Sequence, residues 1–333
     1  MAKKKTKAPY SKEQYLYWYM LMLRIRRFEE RAQREYGKNI RGFLHLYIGQ
    51  EAVAAGIESA IRKEDALITA YRQHGNAIAR GVSLKAAMAE LFGRIDGVNK
   101  GKGGSMHFFS KKHRYFGGDG IVGGQIGVGT GIALAEKYKG TDNLCVTMFG
   151  DGAARQGILH EAFNMASKWE LPVLYIVENN HYAMGTAVER VSKLTDLHHF
   201  GLAYGMPAKK VDGMQPESVH EAVTEAAKYI RSGKGPCFLE IETYRYKGHS
   251  ISDPGKYRSK EEVEKYRAID PLKTTEAKLL QYGFATEADI KAFKEQVKTE
   301  IEEAVAFASQ SPLPPPEELF IDEYVEDNYP FLQ

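Results

Sequence analysis

Residues 150–180 read GDGAARQGILHEAFNMASKWELPVLYIVENN. The stretch opens with Asp151 between two glycines and closes with a glutamate and two asparagines, Asn179 and Asn180. Between the ends lie a segment of helical pattern, 155–168, and a continuous apolar run, 172–178. An apolar run of that length bounded by turn residues reads as a strand buried on both faces. The run before Asp151, NLCVTMF at 143–149, reads the same way. Strand, helix and strand in succession predict a parallel pair, and ligands of open parallel sheets collect at the carboxyl ends of the strands. Asp151 and Asn180 each occupy such an end, and if the strands are neighbours the two side chains converge. A carboxylate oxygen, an amide oxygen and nearby backbone carbonyls are the hard ligands magnesium takes, usually shared with phosphate oxygens. The backbone N–H groups of Gly152 and Ala153, opening the following helix, would face the same anion. The residues alone equally allow a plainer assignment, an Asp helix cap and a turn-forming Asn pair.

Outward from this stretch the alternation continues. A capping signal at Ser11 starts a helix to about Tyr36, with an apolar stripe of Tyr15, Trp18, Tyr19, Met22 and Ile25. A helix over 50–61 and a strand over 66–70 follow. Residues 94–131 are dense in glycine and read as a long irregular region, with a helix emerging at 126–138. A helix at 216–231 and a strand at 236–244 complete the pattern. Helices at about 259–268, 272–282 and 286–309 and a proline-rich arm at 311–319 form a helical C-terminal tail. The expected fold is α/β, a mostly parallel sheet with helices on both faces. The expected organisation is a disordered basic tail at 1–10 and one domain over 11–333, with no linker in sight.

Composition narrows the function. The 333 residues are 43% hydrophobic and 27% charged, with a net charge of +3, too small for electrostatic binding of nucleic acid. The basic run KKKTK at 3–7 reads as a solvated tail. Cys145 and Cys237 sit far apart in apolar runs, as buried free thiols of a reducing compartment do. No apolar run reaches membrane-spanning length and no secretory signal is visible, so the expected location is the cytoplasm, or an organelle matrix if a transit segment has been removed. GDGIVG at 118–123 fits the dinucleotide pattern G-x-G-x-x-G. That pattern requires a preceding apolar strand, and the basic, aromatic SKKHRYF precedes it instead, which disfavours a nicotinamide cofactor.

GDG followed by 26 residues, 153–178, and then NN resembles the signature of thiamine diphosphate enzymes. More of the chain agrees. IRGFLHLYIGQEA (40–52), ITAYRQHG (68–75), GKGGSMH (101–107), GGDGIVGGQ (117–125), NNHYAMGTAVER (179–190), VDGM (211–214) and GPCFLEIETYRYKGHSISDPGKYR (235–258) occur in order. Together they resemble the alpha subunits of the thiamine diphosphate-dependent 2-oxo acid dehydrogenases, the pyruvate type above all, over roughly residues 10–330.

The resemblance implies a thiamine diphosphate-binding fold and a set of roles. Asp151, Asn180 and the backbone oxygen of Tyr182 would hold magnesium. Gly152 and Ala153 would reach the diphosphate through backbone N–H groups, and Tyr71 and Arg72 its phosphate oxygens. Gly120 and Val122 would hold the aminopyrimidine through backbone groups. His249 would sit beside the phosphates and the reacting centre, and His45 would line the substrate approach. His74 and His107 are expected to pack or support, and His181, His198, His199 and His220 to lie at the surface. The implied reaction is oxidative decarboxylation of pyruvate with transfer of the acetyl unit to a lipoyl group of a dihydrolipoyl acyltransferase. Acetoin and branched-chain 2-oxo acid dehydrogenases share the metal clamp and stand as the alternative. The glutamate that activates the cofactor has no place in a chain of this length. The resemblance therefore implies a separate beta chain and an α2β2 assembly, with neither nucleic acid nor membrane as partner. Ser250 matches a regulatory serine of mitochondrial relatives, but DPGKYR lacks a second serine and Ala187 replaces a third. Phosphorylation is therefore not expected.

Overall fold

The computed structural model describes residues 8–322. The lysine run at 3–7 lies outside the described residues. Ala8 and Tyr10, within the expected tail, pack against the core, with the Tyr10 ring edge-on to Trp18 and His220.

Helix α1 (Lys12–Glu35) starts where Ser11 Oγ accepts the Gln14 N–H. All five residues of its expected stripe are buried. There follow α2 (Glu51–Ala60), β1 (Ala66–Ala70), α3 (His74–Ala79), α4 (Leu84–Leu91), β2 (Tyr115–Asp119) and α5 (Gly124–Tyr138). Next come β3 (Cys145–Gly150), α6 (Gly157–Lys168) and β4 (Val173–Asn179). A small hairpin, β5 (Tyr182–Ala183) and β6 (Thr186–Ala187), leads to the one-turn helices α7 (Val188–Val191) and α8 (His199–Leu202). The chain continues through β7 (Ala208–Asp212), α9 (Pro216–Tyr229) and β8 (Cys237–Glu242) to α10 (Lys260–Ala268), α11 (Pro271–Gln281) and α12 (Glu287–Gln310).

Six strands form one sheet in the order β2-β1-β3-β4-β8-β7, and every pairing is parallel. Alternation along the strands sorts the apolar side chains to two faces. Val146, Met148, Leu174 and Ile176 join the layer that contains α1, α2 and α9. Cys145, Phe149, Val173, Tyr175 and Val177 join the layer of α5 and α6. Both cysteines are free and buried, as expected. The C-terminal helices α11 and α12 pack on α1, and α12 also on α4. A full capping box starts α12, with Thr286 and Asp289 each bonded to the other's backbone. No helix among the described residues is long and apolar enough to cross a membrane.

Four local expectations change. The glycine-rich region at 94–131 holds β2, an edge strand whose Gly117 and Gly118 suppress any strand pattern in the sequence. Strand β7 (AKKVD) is the other edge. Its exposed Lys209 and Lys210 guard the edge and hide it from an apolar search. Helix α6 begins at Gly157, because a short 3-10 turn, Ala153–Arg155, intervenes after Asp151. Gly152 and Ala153 therefore open that turn rather than an α-helix. The proline-rich arm ends in another 3-10 turn, Pro316–Phe320.

Close approach explains one glycine of the framework. A Cβ at Gly56 of α2 would lie 2.5 Å from Val219 Cβ and 2.9 Å from the Pro216 carbonyl oxygen of α9. Backbone cannot yield as a side chain can. Gly56→Ala is therefore expected to destabilise the protein by roughly 1–3 kcal/mol, read as a lower urea midpoint at unchanged m-value.

Candidate active site

The carboxyl ends of β1, β3, β4 and β8 open into one cleft of about 290 Å³. Strands β3 and β4 are neighbours, with Gly150 opposite Glu178, so the residues just beyond them meet as the sequence anticipated. The wall includes Tyr71 and Arg72 after β1, Asp151, Gly152 and Ala153 after β3, and Asn180 and Tyr182 after β4. Val122 before α5 and His249 beyond β8 complete the anticipated residues on it. Gly120 is not on this wall; it lies against the His107 ring. His45 stands behind the wall, its ring centroid 4.7 Å from that of Tyr71 and 5.2 Å from that of His249.

Charge in the cleft is separated. Asp151 is 5% exposed and has no ion pair among the described residues. Burial pushes its carboxyl up to about 6, opposed by a hydrogen bond from its own backbone and by Arg245. Asn180 and Tyr182 line the same cleft. On the same wall are two buried guanidiniums without carboxylate partners. Arg72 donates to the carbonyl oxygens of Leu46 (2.8 Å) and His249 (2.6 Å). Arg245 donates to the carbonyls of Tyr182 (3.1 Å), Met184 (2.9 Å) and Lys247 (3.2 Å) and to the Tyr257 hydroxyl (2.7 Å). Burial and the neighbouring Arg245 pull Arg72 down to about 10.

Glu178, also on the wall, accepts the Tyr47 hydroxyl at 2.5 Å and is pushed up to about 7 by burial. Burial, then Arg72, pushes His45 down to about 2 and His249 down to about 4. Both rings are neutral near pH 7, and each has a buried Nδ1 without a hydrogen-bond partner.

Residues 20–317 match the family described as Dehydrogenase E1 component. The chain belongs to that family. It is 51% identical over 319 residues to the pyruvate dehydrogenase E1 component subunit alpha of Rhizobium meliloti (strain 1021), covering 95% of this chain and 92% of that protein. The same-named protein of Rickettsia bellii is 49% identical, with 94% and 97% covered. The somatic mitochondrial form of Sus scrofa is 47% identical, with 95% and 81% covered.

The cleft of this dehydrogenase E1 chain fits a metal-bound diphosphate. A buried carboxylate without a cation, in one cleft with an amide and a carbonyl oxygen, suits a hard divalent ion. Two guanidiniums bonded only to neutral oxygens leave positive charge for an anion. The Tyr182 carbonyl already accepts from Arg245, and its second lone pair remains for a metal. Gly152 is required by close approach, since a Cβ there would lie 2.7 Å from Ala183 Cβ of the β5–β6 hairpin.

The dinucleotide alternative fails for a different reason from the one the sequence offered. A strand, β2, does precede α5. However, the carboxylate of Asp119 occupies the start of α5: Oδ1 accepts the Ile121 N–H at 2.8 Å, and Oδ2 would lie 2.4 Å from a Cβ on Gly124. An anion there meets an anion.

Several wall residues escaped the sequence reading, chiefly Arg245, Glu178 and Gln125. Arg245 was findable by the strand-end rule, lying three residues beyond β8 as Asp151 lies one beyond β3. His74 is the buried supporting residue expected, between Glu29 and Ser105. His181, His198 and His220 are not free surface residues: the first two pair with Glu242 and Glu240, and His220 bonds Ser59.

The depressed histidines make a pH prediction. In the unfolded chain a histidine binds its proton below about pH 6.5, whereas His45 and His249 stay neutral in the fold until about 2 and 4. For these two groups the unfolded state then binds more protons, so their contribution to stability falls as pH drops from 7 towards 4, while Asp151 and Glu178, pushed up to about 6 and about 7 by burial, act in the opposite sense. Urea unfolding of the cofactor-free protein is therefore expected to show His45→Gln gaining stability relative to wild type between pH 7 and pH 5, because the variant lacks the histidine contribution that wild type loses.

Proposed function

We propose that this chain is the alpha subunit of a pyruvate dehydrogenase first component. It would act with magnesium and thiamine diphosphate, decarboxylating pyruvate oxidatively and acetylating the lipoyl group of a dihydrolipoyl acyltransferase. The observation that carries this reading is the cleft itself, where a buried carboxylate without an ion pair and two guanidiniums without carboxylate partners share the strand ends. The similarity to alpha subunits named for pyruvate dehydrogenase supports the substrate. The bacterial relatives support a cytoplasmic setting, and the alpha designation supports a beta partner in an α2β2 assembly. On this reading residues 11–333 act as one cofactor-binding domain.

The residues have separable tasks. Asp151, Asn180 and the Tyr182 carbonyl would hold the metal. Arg72, assisted by Tyr71, would take phosphate oxygens, and the backbone of Gly152 and Ala153 would lie against the same group. Val122, with Gly120 behind it, would border the aminopyrimidine. Bound thiamine diphosphate supplies the electron sink for decarboxylation. His249 and His45, neutral and packed edge to face, offer N–H donors and acceptors where negative charge develops on the 2-oxo acid. Their low proton affinity keeps two further positive charges out of a cleft that already holds Arg72 and Arg245. Ser250 bonds Ser252 at 3.0 Å and is unmodified on this reading.

The test is turnover by the purified alpha–beta complex with magnesium and thiamine diphosphate, reducing an artificial electron acceptor. Pyruvate is expected to exceed acetoin and a branched 2-oxo acid. Asp151→Ala is expected to lose more than about a hundredfold, since even outer partners of metal ligands cost 10–100-fold. The alpha chain alone is expected to be inactive. Preference for another substrate overturns the pyruvate assignment, and robust turnover by the alpha chain alone overturns the shared site.

A further inference from the structure

The two asparagines that end β4 are held in different ways. Asn179 is spent within the protein: its Nδ2 donates to Glu240 Oε1 at 2.8 Å and its Oδ1 accepts the His181 N–H at 3.1 Å. Asn180 is held from one side. Its Nδ2 donates to Gln50 Oε1 at 3.0 Å, while its Oδ1 meets the Tyr182 N–H only at 3.5 Å. An amide turned by 180° exchanges donor for acceptor. Which end of Asn180 reaches the cleft therefore decides whether it can ligate a cation.

Gln50 settles that choice. It is fully buried and caps α2, and its backbone N–H is bound to the Tyr47 carbonyl at 3.1 Å. The adjoining turn is braced by Glu51, which accepts the Gly49 N–H and the Arg26 guanidinium. With Asn180 turned over, two oxygens would oppose each other at 3.0 Å. Turning Gln50 as well would set the Asn180 NH2 against the Tyr182 N–H. The observed orientation has neither conflict.

The arrangement is not the most stable one available. Gln50 Nε2 is buried without a hydrogen-bond partner, which costs free energy that an apolar side chain would not incur. We infer that Gln50 is a positioning residue for the metal: it fixes the sense of the Asn180 amide, so that Oδ1 faces the cation beside Asp151. The inference rests on the metal-diphosphate reading of the cleft.

The test uses the alpha–beta complex, saturating thiamine diphosphate and Mn²⁺ in place of magnesium, with free Mn²⁺ read by electron paramagnetic resonance. Gln50→Met is expected to weaken Mn²⁺ binding 10–100-fold while leaving the urea midpoint of the cofactor-free protein unchanged or higher. Gln50→Glu keeps an acceptor oxygen and is expected to restore affinity to within about threefold of wild type, well inside the 10–100-fold effect of losing the partner. Unchanged Mn²⁺ affinity in Gln50→Met overturns the inference alone, as does a loss that tracks a lower urea midpoint and is not restored by Gln50→Glu. Wild-type complex that takes up no Mn²⁺ with thiamine diphosphate overturns the reading of the cleft as well.

Discussion

The parallel pairing of β3 with β4, with Gly150 opposite Glu178, is the constraint on which the site depends. A slip of one residue would send alternate side chains of β4 to the wrong face of the sheet. It would turn Glu178 away from the Tyr47 hydroxyl and carry Asn180 away from Asp151. Both layers hold the register: Leu174 and Ile176 are fixed on one side, Val173, Tyr175 and Val177 on the other. The core thus does more than stabilise the fold. It sets where two polar residues emerge, on rigid strand ends rather than on loops free to part.

Among the described residues the fully buried acids Glu29, Glu51, Asp65 and Glu90 have partners, which is why Asp151 stands out. Glu90 has its two oxygens on the N–H groups of Asn99, Gly101, Gly103 and Gly104, tying the loop to α4. Glu29 accepts from the Tyr47 N–H and lies against His74, and Glu51 binds Arg26. Asp65 takes the Arg62 and Leu144 N–H groups and the Arg231 guanidinium. Buried carboxylates of this kind are structural, because partners offset the loss of water. Asp151 is also buried, though it borders the cleft, and lacks such side-chain partners among the described residues. A fold that satisfies its acids so thoroughly elsewhere leaves this one for something it does not itself contain.

The sequence made the centre of the sheet readable and its edges unreadable, for a physical reason. Strands β3, β4 and β8 are covered on both faces, so they appear as apolar runs that no surface helix would carry. Strands β2 and β7 lie at the edges, where Gly117, Gly118, Lys209 and Lys210 replace that pattern with one a loop would show equally well. The site divides in the same way. Asp151, Asn180, Arg72 and His249 are short steps from readable strands, or in motifs carried by resemblance. Gln50 acts across 130 positions of chain, and Glu178 is polar inside an otherwise apolar strand. Neither has a local pattern that distinguishes it from a helix cap or a strand-end acid.

His45 shows how far from the cleft its geometry is decided. Its backbone N–H reaches Ser105 Oγ at 3.3 Å, and Ser105 Oγ lies 2.9 Å from His74 Nε2. His74 Nδ1 in turn lies 3.0 Å from Glu29 Oε2 on α1. Nε2 of His74 also lies 3.1 Å from the Ser105 carbonyl oxygen, so the ring is held between Glu29 and both oxygens of Ser105, while Ser105 Oγ accepts the His45 N–H. The order of serine, histidine and acid matches that of a hydrolase triad, yet nothing nucleophilic is set up. The Gly103 and Gly104 N–H groups that could serve a developing oxyanion are committed to Glu90, and Ser105 Oγ is committed to the His45 backbone. The relay is a brace. It joins α1, α3 and the glycine-rich loop to the segment carrying His45, so the backbone behind the cleft wall is held by a helix that contributes no residue to the wall.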